Sequence, residues 1–188
     1  MSDATPDASL AVNALTNQST EENVKSSDFL LMKATVDPEQ DLTADGKLKI
    51  SLNHAMSKLI IKITVNGTTD ASMSKLGDMA INGAVVKATC DLSAAAPVVV
   101  PAADAVVATV APYKGTESCE CILPPQKIAE GFSVNFSYDG KLYIWTAKEA
   151  IELEKGVEHT LTLNVNTTVR LAAKMARNWA TGQLIDRN

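Results

Sequence analysis

The sequence predicts an all-β protein, an antiparallel two-sheet sandwich with short helical turns confined to its loops. Three observations lead there. From Phe29 onward, one short stretch after another alternates apolar and polar residues with a period of two, as half-buried strands do. Turn dipeptides fall between these stretches. Strand and helix patterns never alternate regularly, which disfavours a parallel α/β sheet.

Taken in order, residues 1–27 are rich in Ser, Thr, Asn, Asp and Glu, with one brief apolar run at Leu10, Val12 and Leu15. They read as a polar leader with at most one strand. Leu48, Ile50 and Leu52 then alternate with Lys47, Lys49 and Ser51, and Leu59, Ile61, Ile63 and Val65 with Lys58, Ile60, Lys62 and Thr64. Val86, Ala88, Cys90 and Leu92 continue the pattern, as do Phe132, Val134 and Phe136, and finally Leu161, Leu163 and Val165. The expected core is therefore Leu48, Ile50, Leu52, Leu59, Ile61, Ile63, Phe132, Val134, Phe136, Leu161 and Leu163. Asp45-Gly46, Asn66-Gly67, Asn82-Gly83 and Asp139-Gly140 supply the positive-φ residues of tight hairpins, most clearly in Tyr138-Asp139-Gly140-Lys141. Both faces of Leu142-Tyr143-Ile144-Trp145 are apolar, so this strand should be central and covered, and Trp145 a core or interface aromatic. Helical periodicity competes only at residues 71–79, read as a short turn in a loop, and at 169–179. In the second stretch Ala-rich propensity opposes a β-branched start, and the class stays open. These readings give a sandwich over residues 28–175 and a tail over 176–188.

Composition narrows the function. The 188 residues carry a net charge of −5 with no Lys/Arg cluster, which argues against nucleic acid as a partner. Hydrophobic residues make up 46% of the chain, enough for a core, and aromatic residues only 4%, too few for an obvious sugar-stacking surface. The most apolar stretch, residues 94–112, is broken by Pro97, Pro101 and Asp104, so no spanning helix is expected. The first residues lack the basic start and apolar run of an export signal, leaving either a cytosolic protein or one whose signal was removed.

Catalytic chemistry finds little support, and neither enzyme activity nor a cofactor is expected. His54 reads as a strand-end histidine with local bonds and His159 as a solvated hairpin residue, and neither belongs to a nucleophile motif. Asp37, Glu39, Asp41 and Asp45 space themselves like oxygen ligands, but no acidic residue closes the loop, so they read as solvated. Cys119 and Cys121 share a strand face, and Cys90 reaches either one only if its strand lies alongside. Burial as free thiols is the simpler reading.

Several stretches, in order along the chain, resemble the fimbrillin-like subunits of type V pili, surface lipoproteins of Gram-negative anaerobes. Asn17-Gln18-Ser19-Thr20 and then Ser27-Asp28-Phe29-Leu30-Leu31-Met32-Lys33-Ala34 resemble the family's approach to a strand that opens with Asp. Leu52-Asn53-His54-Ala55-Met56-Ser57-Lys58-Leu59 resembles its L-x-H-A-x-x-K-hydrophobic signature, the most specific match. Ile122-Leu123-Pro124-Pro125-Gln126 resembles a hydrophobic-L-P-Q element, residues 153–165 the penultimate strand, and Trp179 with Gly182 the terminal W-x-x-G.

The resemblance implies a transthyretin-like sandwich and a structural or adhesive subunit of a cell-surface fimbria, with other pilus subunits as partners. A host surface protein or glycan is a second class of partner. It also implies export to the fimbrium or outer membrane, from a lipoprotein precursor. Family members join two such sandwiches in series, so residues 1–27 are open to being the remnant of a missing N-terminal domain. By the same resemblance, subunits polymerise when proteolysis after a basic residue frees an N-terminal strand and a neighbour's strand fills the groove. Here the displaced strand would run through Leu10, Val12 and Leu15, with cleavage at Lys25. The donor would be the segment 169–188, through Val169, Leu171 and Trp179, and the isolated chain is expected as a monomer. The alternative is a secreted carbohydrate-binding module using Tyr143, Trp145 or Trp179 as its platform.

Overall fold

The computed structural model describes residues 9–32, 35, 37, 40, 42–43, 45–48, 50–67, 69–166, 172–175 and 183–186, with residue 69 and the last two stretches as backbone. The first half of the chain forms β1 (Ser9–Ala11), α1 (Glu21–Ser27), β2 (Leu30–Leu31), β3 (Asn53–His54), β4 (Ser57–Val65), β5 (Thr69–Asp70), β6 (Leu76–Val85) and β7 (Ala88–Asp91). Next come β8 (Val99–Pro101), β9 (Val107–Val110), β10 (Tyr113–Lys114), β11 (Cys119–Leu123), β12 (Gln126–Ile128) and β13 (Ser133–Tyr138). The last strands are β14 (Lys141–Thr146), β15 (Ile151–Leu153), β16 (Glu158–Val165), β17 (Ala172–Met175) and β18 (Gln183–Asp186).

The main sheet is one path, β10-β11-β4-β16-β17-β18-β14-β13-β6-β9, with β5 beside β4. β17 meets β18 at a single pair, Ala172↔Gln183, which divides the path into two halves. These halves share one core, to which β4 and β16 give Leu59, Ile61, Ile63, Leu161 and Leu163. β6, β13 and β14 give Ile81, Val134, Phe136, Tyr143 and Trp145. The expected all-β sandwich is what forms. Named strands pair antiparallel except β4 and β16, which run parallel in register from Lys58↔Glu158 to Val65↔Val165. Ile61, Val134, Trp145, Leu161 and Leu163 are all 0% exposed, and burying a side chain of this size stabilises by about 1.5–3 kcal/mol. Phe132 meets Trp145 edge-on with ring centroids 6.1 Å apart, and Phe136 stacks on Tyr143 at 5.4 Å.

A second, smaller core lies on the other side of β11. The three-stranded sheet β1-β7-β8 and helix α1 close over Ile122 and Met56, bringing Val12, Ala14, Val24, Ala88, Cys90 and Val99 with them. The polar leader thus supplies buried residues and a helix that composition did not suggest. Thr20 caps that helix by accepting the N–H of Asn23 at 3.2 Å, and Glu21 and Glu22 occupy its positive end.

Part of the expected core is overturned. Leu48, Ile50 and Leu52 are 37%, 58% and 55% exposed. Their stretch folds back on itself through a Leu42↔Leu48 bridge, and β3 finds only the two-residue β2 as neighbour. Leu92 is exposed as well, because β7 ends at Asp91 and the chain turns. His159 is not solvated. It lies on the inward parity of β16, 5% exposed, where its Nε2 accepts the N–H of Glu154 at 3.0 Å.

Asp139 and Gly140, at φ 51° and 78°, make the tight hairpin between β13 and β14 as the sequence predicts. Asn82-Gly83 does not turn the chain. Gly83, at φ 96°, sits inside β6 as a bulge between Asn82 and Ala84, where a Cβ would lie 3.2 Å from the Phe132 backbone. Residues 73–75 form one 3-10 turn, and β6 begins at Leu76. Residues 172–175 resolve the open class of the C-terminal stretch in favour of strand.

Cys90, Cys119 and Cys121 are all buried and free. Cys90 lies in a different sheet from the other two, so no strand neighbour brings it to them. Burial raises the pKa of each, that of Cys119 to about 11. Two outcomes follow. A thiol reagent should label none of the three in the folded protein and all three in denaturant. Unfolded thiols ionise above their ordinary value of about 9 while the folded ones keep their protons, so stability should hold from pH 6 to 8 and fall above about pH 9. Urea midpoints across that range measure it. A third outcome separates true core from false alternation. Ile61→Ala should cost about 2–5 kcal/mol, whereas Ile50→Ala should stay within about 0.5 kcal/mol.

Candidate assembly site

The leader residues lie along the edge of β7. Ser9, Leu10 and Ala11 pair with Asp91, Cys90 and Thr89. Beyond β1 the backbone pairing continues, with Val12 N–H donating to Ala88 C=O at 2.8 Å and Ala14 N–H to Val86 C=O at 2.9 Å. Val12 and Ala14 point into the second core, while Leu10 and Leu15 are each 41% exposed. Leu10 shares the parity of Val12 and Ala14 yet stays exposed, and Leu15 has the opposite parity, so of this stretch Val12 and Ala14 are the apolar residues that reach the core.

Gln18 then closes the seam where β9 leads into β10. Its Oε1 accepts the N–H of Ile122 at 2.8 Å, and its Nε2 donates to Ile122 C=O at 2.8 Å and to Leu15 C=O at 2.9 Å. Its own N–H donates to Ala111 C=O at 2.8 Å. No local signal announces this residue, since its partner lies 104 positions away.

Lys25 stands in the last turn of α1, exposed, with Nζ 2.6 Å from Glu21 Oε1. Beneath α1 is a cavity of about 350 Å³, floored by Val24, Met56 and Ile122 and rimmed by Asp28, His54 and Lys58. The L-x-H-A-x-x-K stretch therefore gathers at one place. His54 Nδ1 lies 2.6 Å from Asp28 Oδ2, and Lys58 Nζ bonds Glu120 at 2.8 Å and meets Glu158 at 3.4 Å. The Glu120 bond holds the Lys58 ammonium above its usual pKa. Gln126 of the L-P-Q stretch repeats the action of Gln18, taking the N–H and C=O of Val85 at 2.9 Å each.

Val169, Leu171 and Trp179 lie outside the described residues, as do Glu39 and Asp41. The flanking backbone is placed. β17 pairs with β16 and β18 with β14, so the two described strands within residues 169–188 sit on their own sandwich. Trp145 is 0% and Tyr143 7% exposed, which removes both as a sugar platform. Among the described residues no group of three or more His, Cys, Asp or Glu is placed to hold a metal ion. No helix of the described residues is long and apolar enough to cross a membrane.

The described residues thus form a β-sandwich with β1 along the edge of β7 and a small second core beneath it. The chain belongs to the fimbrillin-like family, whose model matches residues 2–178. Two solved structures share its fold. One, a candidate cell adhesion protein of Bacteroides uniformis, is 16% identical with a TM-score of 0.65, over 97% of this chain and 67% of that one. The other, a candidate cell adhesion protein of Bacteroides ovatus, is 16% identical with a TM-score of 0.63, over 96% of this chain and 62% of that one. The chain thus spans about two thirds of their lengths. No curated protein matches it in sequence.

Proposed function

We propose that the protein is a non-enzymatic structural or adhesive subunit of a cell-surface fimbria, and that it assembles by strand addition. One observation carries the reading. Residues 9–18 occupy a strand position continuous with the sheet edge, held by backbone bonds and few buried side chains. Removing them would bare the edge of β7, the N–H and C=O of Ile122, and the apolar surface of Cys90, Val99 and Met56. An unpaired edge beside apolar surface is what an incoming strand satisfies, through backbone bonds and alternate side chains. Family membership and the adhesion roles suggested for both structural neighbours support a surface subunit.

In this reading Lys25 is the cleavage point, and α1 must unwind first because proteases take their substrates extended. The donor is the 169–188 segment of the next copy, with Val169, Leu171 and Trp179 entering the groove. It must first leave β16 and β14 of its own sandwich. Head-to-tail addition does not close on itself, so it yields filaments. The intact chain, with β1, β17 and β18 paired on its own sheets, stays a monomer.

The test mixes leader-trimmed with intact protein and follows mass by light scattering, then repeats the mixture with residues 169–188 deleted. Growth in the first mixture and none in the second is expected. Unchanged monomers in the first, or equal growth in both, would remove strand addition.

A further inference from the structure

We propose that Gln18 is the latch of the N-terminal segment: its side-chain amide holds the segment down and sets how readily the edge beneath it opens. The consequence for assembly rests on the strand-addition reading above.

The apolar hold on this segment is slight. All three residues of β1 are exposed, and between residues 9 and 18 only Val12, Ala14 and Gln18 are buried. Gln18, by contrast, is 0% exposed and spends both ends of its amide on protein backbone. β10 pairs with β11 only at Glu120 and Cys119, so at Ile122 the outer side of β11 has no strand, and the Gln18 amide stands in for one. A carboxamide carries a donor and an acceptor side by side, matching a backbone N–H and C=O. A carboxylate offers acceptors only, and a thioether of the same length offers no donor. Withdrawing Gln18 leaves the N–H and C=O of Ile122 without partners and unpairs Ala111 C=O, and unmade bonds in a buried place are costly. Withdrawing Val12 or Ala14 exposes one small side chain and one or two backbone groups at an edge already near water.

Hydrogen exchange on the intact chain tests the latch. In the wild type the amides of Val12, Ala14, Gln18 and Ile122 should exchange with one common opening rate, at least tenfold faster than the ladder amides of β4 and β16. Ile122 should therefore part company with Cys121 and Leu123, its neighbours in β11. Gln18→Met and Gln18→Glu should each raise exchange at these amides tenfold or more and leave β13 and β14 unchanged, and Val12→Ala should raise it less. The idea is overturned if Ile122 exchanges with its β11 neighbours in the wild type. It is equally overturned if Val12→Ala frees the segment as fully as Gln18→Met, or if the Gln18 variants speed exchange uniformly over the sandwich. The wild-type comparison decides the matter even where a variant misfolds. Light scattering on the same samples keeps the two readings apart. Release without growth in mass sinks strand addition and keeps the latch, while unaltered exchange sinks the latch whatever the mass does.

Discussion

The parallel ladder between β4 and β16 is the constraint around which the chain is arranged. Parallel strands cannot be joined by a tight turn and need a long crossover. Residues 66–157 are that crossover, and on the way they build β6, β13 and β14, the opposing half of the sandwich. The return strand then closes the core from the same side as β4. β11 takes the other edge of β4, so inward residues line up in rows across three strands: Cys119, Ile61 and Leu161 in one, Cys121, Leu59 and His159 in the next. All six are buried. A small thiol beside a branched aliphatic side chain fits such a row, which gives Cys119 and Cys121 a packing role without any call on their redox chemistry.

Sheets built this way leave unfinished edges, and the chain finishes two of them with glutamine. β13 pairs with β6 only as far as Ser133↔Asn82, and just beyond that point the Gln126 amide takes the backbone of Val85. β10 pairs with β11 only to Glu120, and just beyond that point the Gln18 amide takes Ile122. Each side-chain amide takes the backbone N–H and C=O that a paired strand residue would otherwise take. They differ in what they tie. Gln126 joins parts of the sandwich body, whereas Gln18 joins that body to a segment at the edge.

The strands with a tight turn or a long ladder were legible in the sequence. The parity of β4, β13 and β16 is fixed by the residues themselves, and Asp139-Gly140 fixes the register between β13 and β14. Parity alone misled at Leu48, Ile50 and Leu52, because alternation marks a face but cannot supply a neighbouring strand to bury it. Parity ignored misled at His159, which shares its side of the strand with Leu161 and Leu163. α1 had a readable start in Thr20, Glu21 and Glu22, masked by the polar character of its surroundings. The glutamine bonds had no local signature. Gln126 and Gln18 were each visible only as part of a family-like stretch, with nothing in either stretch to name the backbone it bonds.

The chemistry of the N-terminal edge also bears on what could replace the strand that lies there. Backbone bonds to β7 are blind to sequence, and the slots filled by Val12 and Ala14 are small, so that part of the edge would accept many extended segments. Selectivity needs groups that reject the wrong partner as well as welcome the right one. Two places on this edge have that character. At Ile122 a buried donor and acceptor penalise any segment that arrives with neither a matching backbone nor a carboxamide. Further along, the cavity under α1 sets an apolar floor of Met56 and Ile122 beneath the charged groups of Asp28, Lys58, Glu120 and Glu158. Under strand addition, discrimination would therefore sit at the end of the edge nearest α1, and affinity would be spread along the rest.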